Sequence, residues 1–264
     1  MSWPLDPTVY AGLVALFLGH AWLARQVDDA EAKHTFYFGL GLVTLWVALE
    51  TPIDVISDHS LDSVHMVQHV LLGFIAPPLM LLGLSPKMAA LVARVPLMRA
   101  ITEPVPAQVI AAAVMIGWHV PALYDATLRS ESLHVVEHLM FIGSGLVLYW
   151  PMLEATSAQS RWQLSPVNKL LYMLVASLPQ DGVALVLLFS RVPFYDFYVH
   201  VPRLVPSLTP LIDQTLAGAA LMVLGKATLA VAALAVFFRW FGGEHAADRR
   251  PAGARSNGRA AGLR

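Results

Sequence analysis

Five histidines carry most of the chemistry this sequence offers: His65, His69, His119, His134 and His138. Four of them form two pairs spaced four apart, and residues at i and i+4 share one face of a helix. Imidazoles presented this way suit chelation of a small cation, and they bind zinc, copper, iron or nickel. Asp62 extends the first stripe, because 62, 65 and 69 follow three–four spacing, and Met66 lies at its edge. Asp213 and Gln214 open the last apolar segment on the same side. A thioether beside imidazoles tolerates both copper oxidation states and favours the reduced one. These residue types describe a histidine-dominated transition-metal site and leave copper and zinc open. The chain has no cysteine, which excludes thiolate metal sites, disulfides and thiol catalysis together.

Each feature also has a plainer use. One HxxxH pair in a membrane helix can simply hydrogen-bond its neighbours, Asp213 can cap a helix, and Met66 can be packing. Glu137, one residue from His138, reads as an interhelical partner or an orienter of a ligand. His59 and His200 fall in connections and read as solvated. Two pairs and a fifth histidine on one side of the membrane weigh against the plain readings taken jointly.

Lipid must position these residues. Hydrophobic residues make up 57% of the 264, charged residues only 13%, and mean hydropathy is +0.61; a soluble domain carries about 25% charge. Seven segments, at roughly 6–26, 35–53, 62–84, 105–122, 132–154, 166–190 and 211–239, are long and apolar enough to cross about 30 Å of hydrocarbon. The fold class is therefore all-α, an integral membrane bundle of seven transmembrane helices over residues 1–240. Residues 241–264, rich in Gly, Ala and Arg, read as a disordered basic tail. The first residues lack a basic stretch, so the first apolar segment is expected to stay as a helix and not to be a cleaved signal. With the N-terminus outside, thirteen Lys and Arg fall on inner segments and three on outer ones. The positive-inside rule then predicts an outer N-terminus and a cytoplasmic C-terminus. The three helices that carry the histidines present them one or two turns below the outer surface. A net charge of -1 gives no indication of a nucleic-acid partner.

Other residues interrupt the apolar pattern. PQDG (179–182) is expected to break the sixth helix, and APP (76–78) to kink the third just below His69. Lys226, deep in the last helix, could snorkel inward, pair with Asp181 or mark a proton or ion path, and pairing is put first. Trp118, Tyr124, Phe194, Tyr195, Phe197 and Tyr198 read as an interfacial aromatic belt, and the long segment 191–210 is a candidate cover or docking surface.

Several stretches resemble the CtaG family of cytochrome c oxidase (caa3-type) assembly factors, the multi-span membrane type. They are HMVQHVLLGFIAPPLMLLG (65–83), WHVPALYDATLRSESLHVVEHLMFIGSGLVLYWPML (118–153), LSPVNKLLYM (164–173), LPQDGVALVLLFSRVPFYDFY (178–198) and LTPLIDQTLAGAALM (208–222). The likeness spans about residues 50–240, and HMxQH, WHxPALYDA, LHxxEH and DQxLAG in that order are specific in combination. The stretch VLGKAT after DQTLAGAALM departs from it, being less apolar than the family pattern. The resemblance implies a seven-helix protein of the bacterial inner membrane that supports oxidase assembly. It further implies copper handling through His65, His69, His119, His134, His138 and Asp213, with oxidase subunits and a copper donor protein as partners.

Three functions follow as expectations. The first is a copper-binding assembly factor, more a binding protein than an enzyme. The second is an intramembrane zinc hydrolase in which histidines and an activated water act together. The third is a haem- or quinone-binding electron-transfer protein, which i,i+4 pairs on one helix suit less well.

Overall fold

The structure, a computed structural model, describes residues 5–248, whose regular elements are all helices with no strand among them. Proline and small polar caps set where helices begin. α1 (Pro7–Arg25) starts behind Asp6, whose carboxylate accepts from the Thr8 N–H at 2.8 Å. α2 (Ala32–Leu49) is followed by the short α3 (Pro52–His59), capped by Thr51. The third span runs through α4 (Asp62–Val70), a π-helical turn (Leu71–Ile75) and α5 (Ala76–Leu82). Two short helices, α6 (Pro86–Val92) and α7 (Pro96–Ile101), lead into α8 (Pro104–Trp118), and α9 (Pro121–Arg129) follows it. The remainder is α10 (Glu131–Tyr149), α11 (Glu154–Ser157), α12 (Pro166–Phe189), α13 (Asp196–His200) and α14 (Pro210–Asp248). The prolines that punctuate the sequence thus occupy first turns, where a missing N–H removes no helical bond.

Five helices are long and apolar enough to cross a membrane, and seven if α2 with α3 and α8 with α9 each count as one span. Those pairs bend by 43° and 72°. The breaks fall near the histidine-bearing end, about where the spans 35–53 and 105–122 were expected to finish. α14 continues to Asp248, past residue 241 where a disordered tail was expected to start; the rest of that tail lies outside the described residues. Leu18 and Trp22 on α1 and Leu171, Leu174 and Leu178 on α12 stand outward and exposed, as helices facing lipid must.

The disturbance expected at APP lies one turn earlier. Pro77 and Pro78 have no N–H to offer the carbonyls of Gly73 and Phe74, and the backbone widens so that Ala76 N–H reaches Leu71 C=O. Gly145 of α10 packs onto the freed Gly73 carbonyl, where a side chain would collide. By contrast PQDG does not break its helix: α12 runs through Pro179. A break there would strand several backbone groups without water, whereas proline within a continuous helix frees one carbonyl. Gln180 Nε2 donates to Leu221 C=O at 2.5 Å, and Lys226 pairs with Asp181 at 2.6 Å. The expected Lys226–Asp181 pairing is present.

Candidate metal centre

All five predicted histidines gather at one end of the bundle, and none is more than 8% exposed. α4 contributes His65 and His69, which the i,i+4 spacing brings edge to face with ring centres 4.3 Å apart. α10 contributes His134 and His138, 4.0 Å apart. The bend after α8 turns His119 inward, to 5.5 Å from His69. His134 lies 5.3 Å from His65, and His138 lies 6.4 Å from His65 and 6.3 Å from His69. Phe141, stacked on His69 at 4.2 Å, forms the floor.

The outer contacts of each ring decide what its inner nitrogen can do. Tyr198 donates its hydroxyl proton to Ser57 C=O at 2.5 Å, so its oxygen is left to accept from His65 Nδ1 at 3.0 Å. That places the His65 proton on Nδ1 and leaves Nε2 as a lone pair. His119 is fixed the same way: a carbonyl only accepts, so Nδ1 donates to Met115 C=O at 2.7 Å. His134 turns Nδ1 toward Asp58, 3.5 Å away. Carbonyl or carboxylate partners of this kind orient metal-binding imidazoles.

The inner atoms then converge without partners. His134 Nε2, His138 Nε2 and both Glu137 oxygens are buried with no hydrogen bond. Glu137 Oε1 is 3.5 Å from His69 Nε2. His65 Nε2 and His69 Nε2 are 2.7 Å apart, bridged by one hydrogen where a cation could sit. Ligand atoms of His65, His69 and His138 lie within 4.8 Å of one another, as do those of His65, His134 and Glu137. Buried acceptors without donors are costly, and a cation would satisfy them, so this donor set fits a transition metal. Beside it, His119 Nε2 is 3.3 Å from Met66 Sδ. Because the His119 proton is on Nδ1, no hydrogen lies between that nitrogen and the sulfur.

Two predicted residues stand elsewhere. Asp213 lies at the start of α14 and caps α4: its oxygens accept from Asp62 N–H at 2.9 Å, Ser63 N–H at 3.2 Å and the Ser63 hydroxyl at 2.6 Å. The first turn of α4 has no side-chain cap of its own, so its amide donors draw that carboxylate away from the imidazoles. Asp62 is buried and accepts from Tyr124 at 2.7 Å, outside both ligand groups. Glu137, expected to orient a ligand, is instead placed among candidate ligands. The aromatic belt also needs correction, since Tyr124, Tyr195 and Tyr198 are at most 3% exposed. Tyr124 stacks on Tyr195 at 3.8 Å, and segment 191–210 lies across the imidazoles as their cover. His59 and His200 are exposed, as expected of solvated residues.

Fold and site together define a polytopic helical membrane protein with a buried polyhistidine centre at one end. Residues 15–242 match the family described as cytochrome c oxidase caa3 assembly factor. The chain belongs to that family, which is the one its motifs resemble. The comparisons found no matching curated protein and no matching solved structure.

Proposed function

We propose that this assembly factor binds copper at the imidazole centre and holds it for transfer to the oxidase on the outer face of the bacterial inner membrane. The contact between His119 Nε2 and Met66 Sδ carries the choice of metal. A nitrogen lone pair and a thioether facing each other with no proton between them suit a soft cation. A thioether is a soft donor that suits reduced copper, whereas a zinc site of imidazole and carboxylate donors does not call for one. The neighbouring imidazoles of His65, His69, His134 and His138 tolerate either copper oxidation state. Copper is cargo here, and the chain supplies oriented lone pairs and exclusion of water. Oxidase subunits and a copper donor are the partners this reading requires.

Glu137 favours a second reading. A carboxylate among three histidines is also the donor set of a zinc site that activates water. Metal analysis and an optical spectrum of detergent-purified protein separate the possibilities, with a His65→Ala/His69→Ala variant alongside. Copper in the wild type and its loss in the variant is the expected result. Zinc with hydrolytic turnover would establish the second reading. A haem absorption band, or unchanged copper in the variant, would refute the first.

A further inference from the structure

The end of the bundle opposite the imidazoles holds a second concavity, an open cavity of about 490 Å³. That is within the size range of small-ligand sites. Its walls come from two stretches of chain that are separate in sequence: residues 90–103, from the end of α6 through α7 to Glu103, and residues 159–161 in the linker after α11. The first contributes Arg94 and Arg99 and the second Arg161, while Ala93 and Ala100 leave the interior open.

The guanidiniums of Arg94, Arg99 and Arg161 have neither an ion pair nor a hydrogen bond to any described residue. The one carboxylate in the wall is already used: Glu103 accepts from Arg161 N–H at 2.8 Å and Trp162 N–H at 3.3 Å. It fixes the backbone that carries Arg161. A bias of positive charge toward one face explains arginines on this side, but not why two stretches about 60 residues apart bring three of them to line one hollow. Like charges brought together destabilise the arrangement unless an anion joins them. A guanidinium fork matches phosphate oxygens two at a time.

The rim says where the phosphate comes from. Val95 and Leu97, next in the chain to the lining residues Arg94 and Pro96, and Trp162, next to Arg161, are 50%, 62% and 67% exposed. A soluble anion has no use for that apolar border, whereas acyl chains do. The short helices α6 and α7 join two membrane spans, which places the hollow at headgroup depth. Basic pockets between membrane helices recognise anionic headgroups in this manner. We infer that this hollow binds the phosphate of an anionic phospholipid, with the three arginines as its clamp and Leu97 and Trp162 against its chains. This site is independent of the metal centre.

The test uses the full chain in detergent, titrated with phosphatidylglycerol or phosphatidylcholine, with bound lipid counted by native mass spectrometry. Phosphatidylglycerol is expected to bind tightly and phosphatidylcholine weakly. The Arg94→Gln/Arg99→Gln/Arg161→Gln variant should lose about a hundredfold in affinity for phosphatidylglycerol, near fivefold for each charge. A control that removes three charges elsewhere on this end, Arg25→Gln/Lys33→Gln/Lys87→Gln, should stay within about threefold. Ala100→Trp fills the hollow and keeps every arginine, so it should lose affinity as the triple variant does. Equal losses in the triple variant and the control would overturn the inference, as would full binding by Ala100→Trp. Inorganic phosphate that displaces the lipid at equal concentration would show a free-anion site and overturn the lipid assignment.

Discussion

Replacing Tyr198 by Phe tests the imidazole centre without touching any nitrogen that would meet the metal. The ring and its packing stay, and one hydroxyl goes. That hydroxyl accepts from His65 Nδ1 at 3.0 Å and donates to Ser57 C=O at 2.5 Å. Its loss strands a buried donor on a histidine that is 0% exposed, at a cost of about 1–3 kcal/mol. His65 can avoid that cost by moving its proton to Nε2, but Nε2 is the atom that faces His69 and the other ligands. The price of keeping the competent tautomer then appears in metal affinity. Loss of an orienting partner weakens metal binding by about 10- to 100-fold, equivalent to about 1.4–2.8 kcal/mol. Competition between the purified protein and a chromophoric copper(I) chelator reads this directly. Tyr195→Phe is the matched control, since its hydroxyl reaches only His119 C=O at 3.3 Å, and it should stay within about threefold. If Tyr198→Phe binds copper(I) as tightly as wild type, or if both variants fall equally, the assignment of the His65 proton is wrong.

Four further outcomes are expected. Glu137→Gln, which removes charge and keeps volume, should lower copper affinity by at least about tenfold with unchanged membrane insertion; an unaffected titration would return Glu137 to packing. Asp213→Ala should destabilise α4 by about 1–2 kcal/mol through loss of its cap and leave copper stoichiometry intact, so a thermal shift without metal loss is the signature. Membrane-impermeant labels should reach cysteines introduced at 54–62 from outside and beyond 240 only after permeabilisation; reversed accessibility would invert the topology. At the other end, burial pushes Asp29 up, but the Ser85 hydroxyl and Lys87 N–H outweigh it and hold the carboxyl below its usual 3.8. This lowered value makes the tie between residues 26–31 and α6 fully present above pH 3.8 and lost as pH falls through the folded value. Amide exchange at Lys87 should therefore quicken only in strong acid, and Asp29→Ala should remove that dependence.

The parts of this molecule that local periodicity encodes were legible in its sequence. Hydropathy marks the spans, and four-residue spacing marks His65 with His69 and His134 with His138. Glu137 was within reach of the same rule, since 134, 137 and 138 stand at i, i+3 and i+4 and share a face. The local pattern also announced a disturbance at Pro77 and Pro78, but not its form or placement: it is a π-helical turn, because the carbonyls that lose their donors lie one turn earlier. Long-range partners were not legible. Asp213 caps a helix about 150 residues earlier in the chain, and no spacing rule distinguishes such a cap from a ligand. Tyr198 and Tyr124 resemble interfacial aromatics until a tertiary fold turns them over the imidazoles. PQDG misleads for a different reason. Proline and glycine predict a break in water, while lipid penalises the exposed backbone a break would create.

The tyrosine cover over the centre changes the kind of quantity that governs metal exchange. His65 and His69 have no contact with solvent, so a competitor would not reach an ion held between them until the structure around them, segment 191–210 included, opens. Such openings occur at a rate set by local stability, and dissociation then proceeds at that rate however much chelator is present. The molecule would behave as a timed container. A protein that pulls the cover aside empties it quickly, and a stronger ligand waiting in solution gains nothing from its strength.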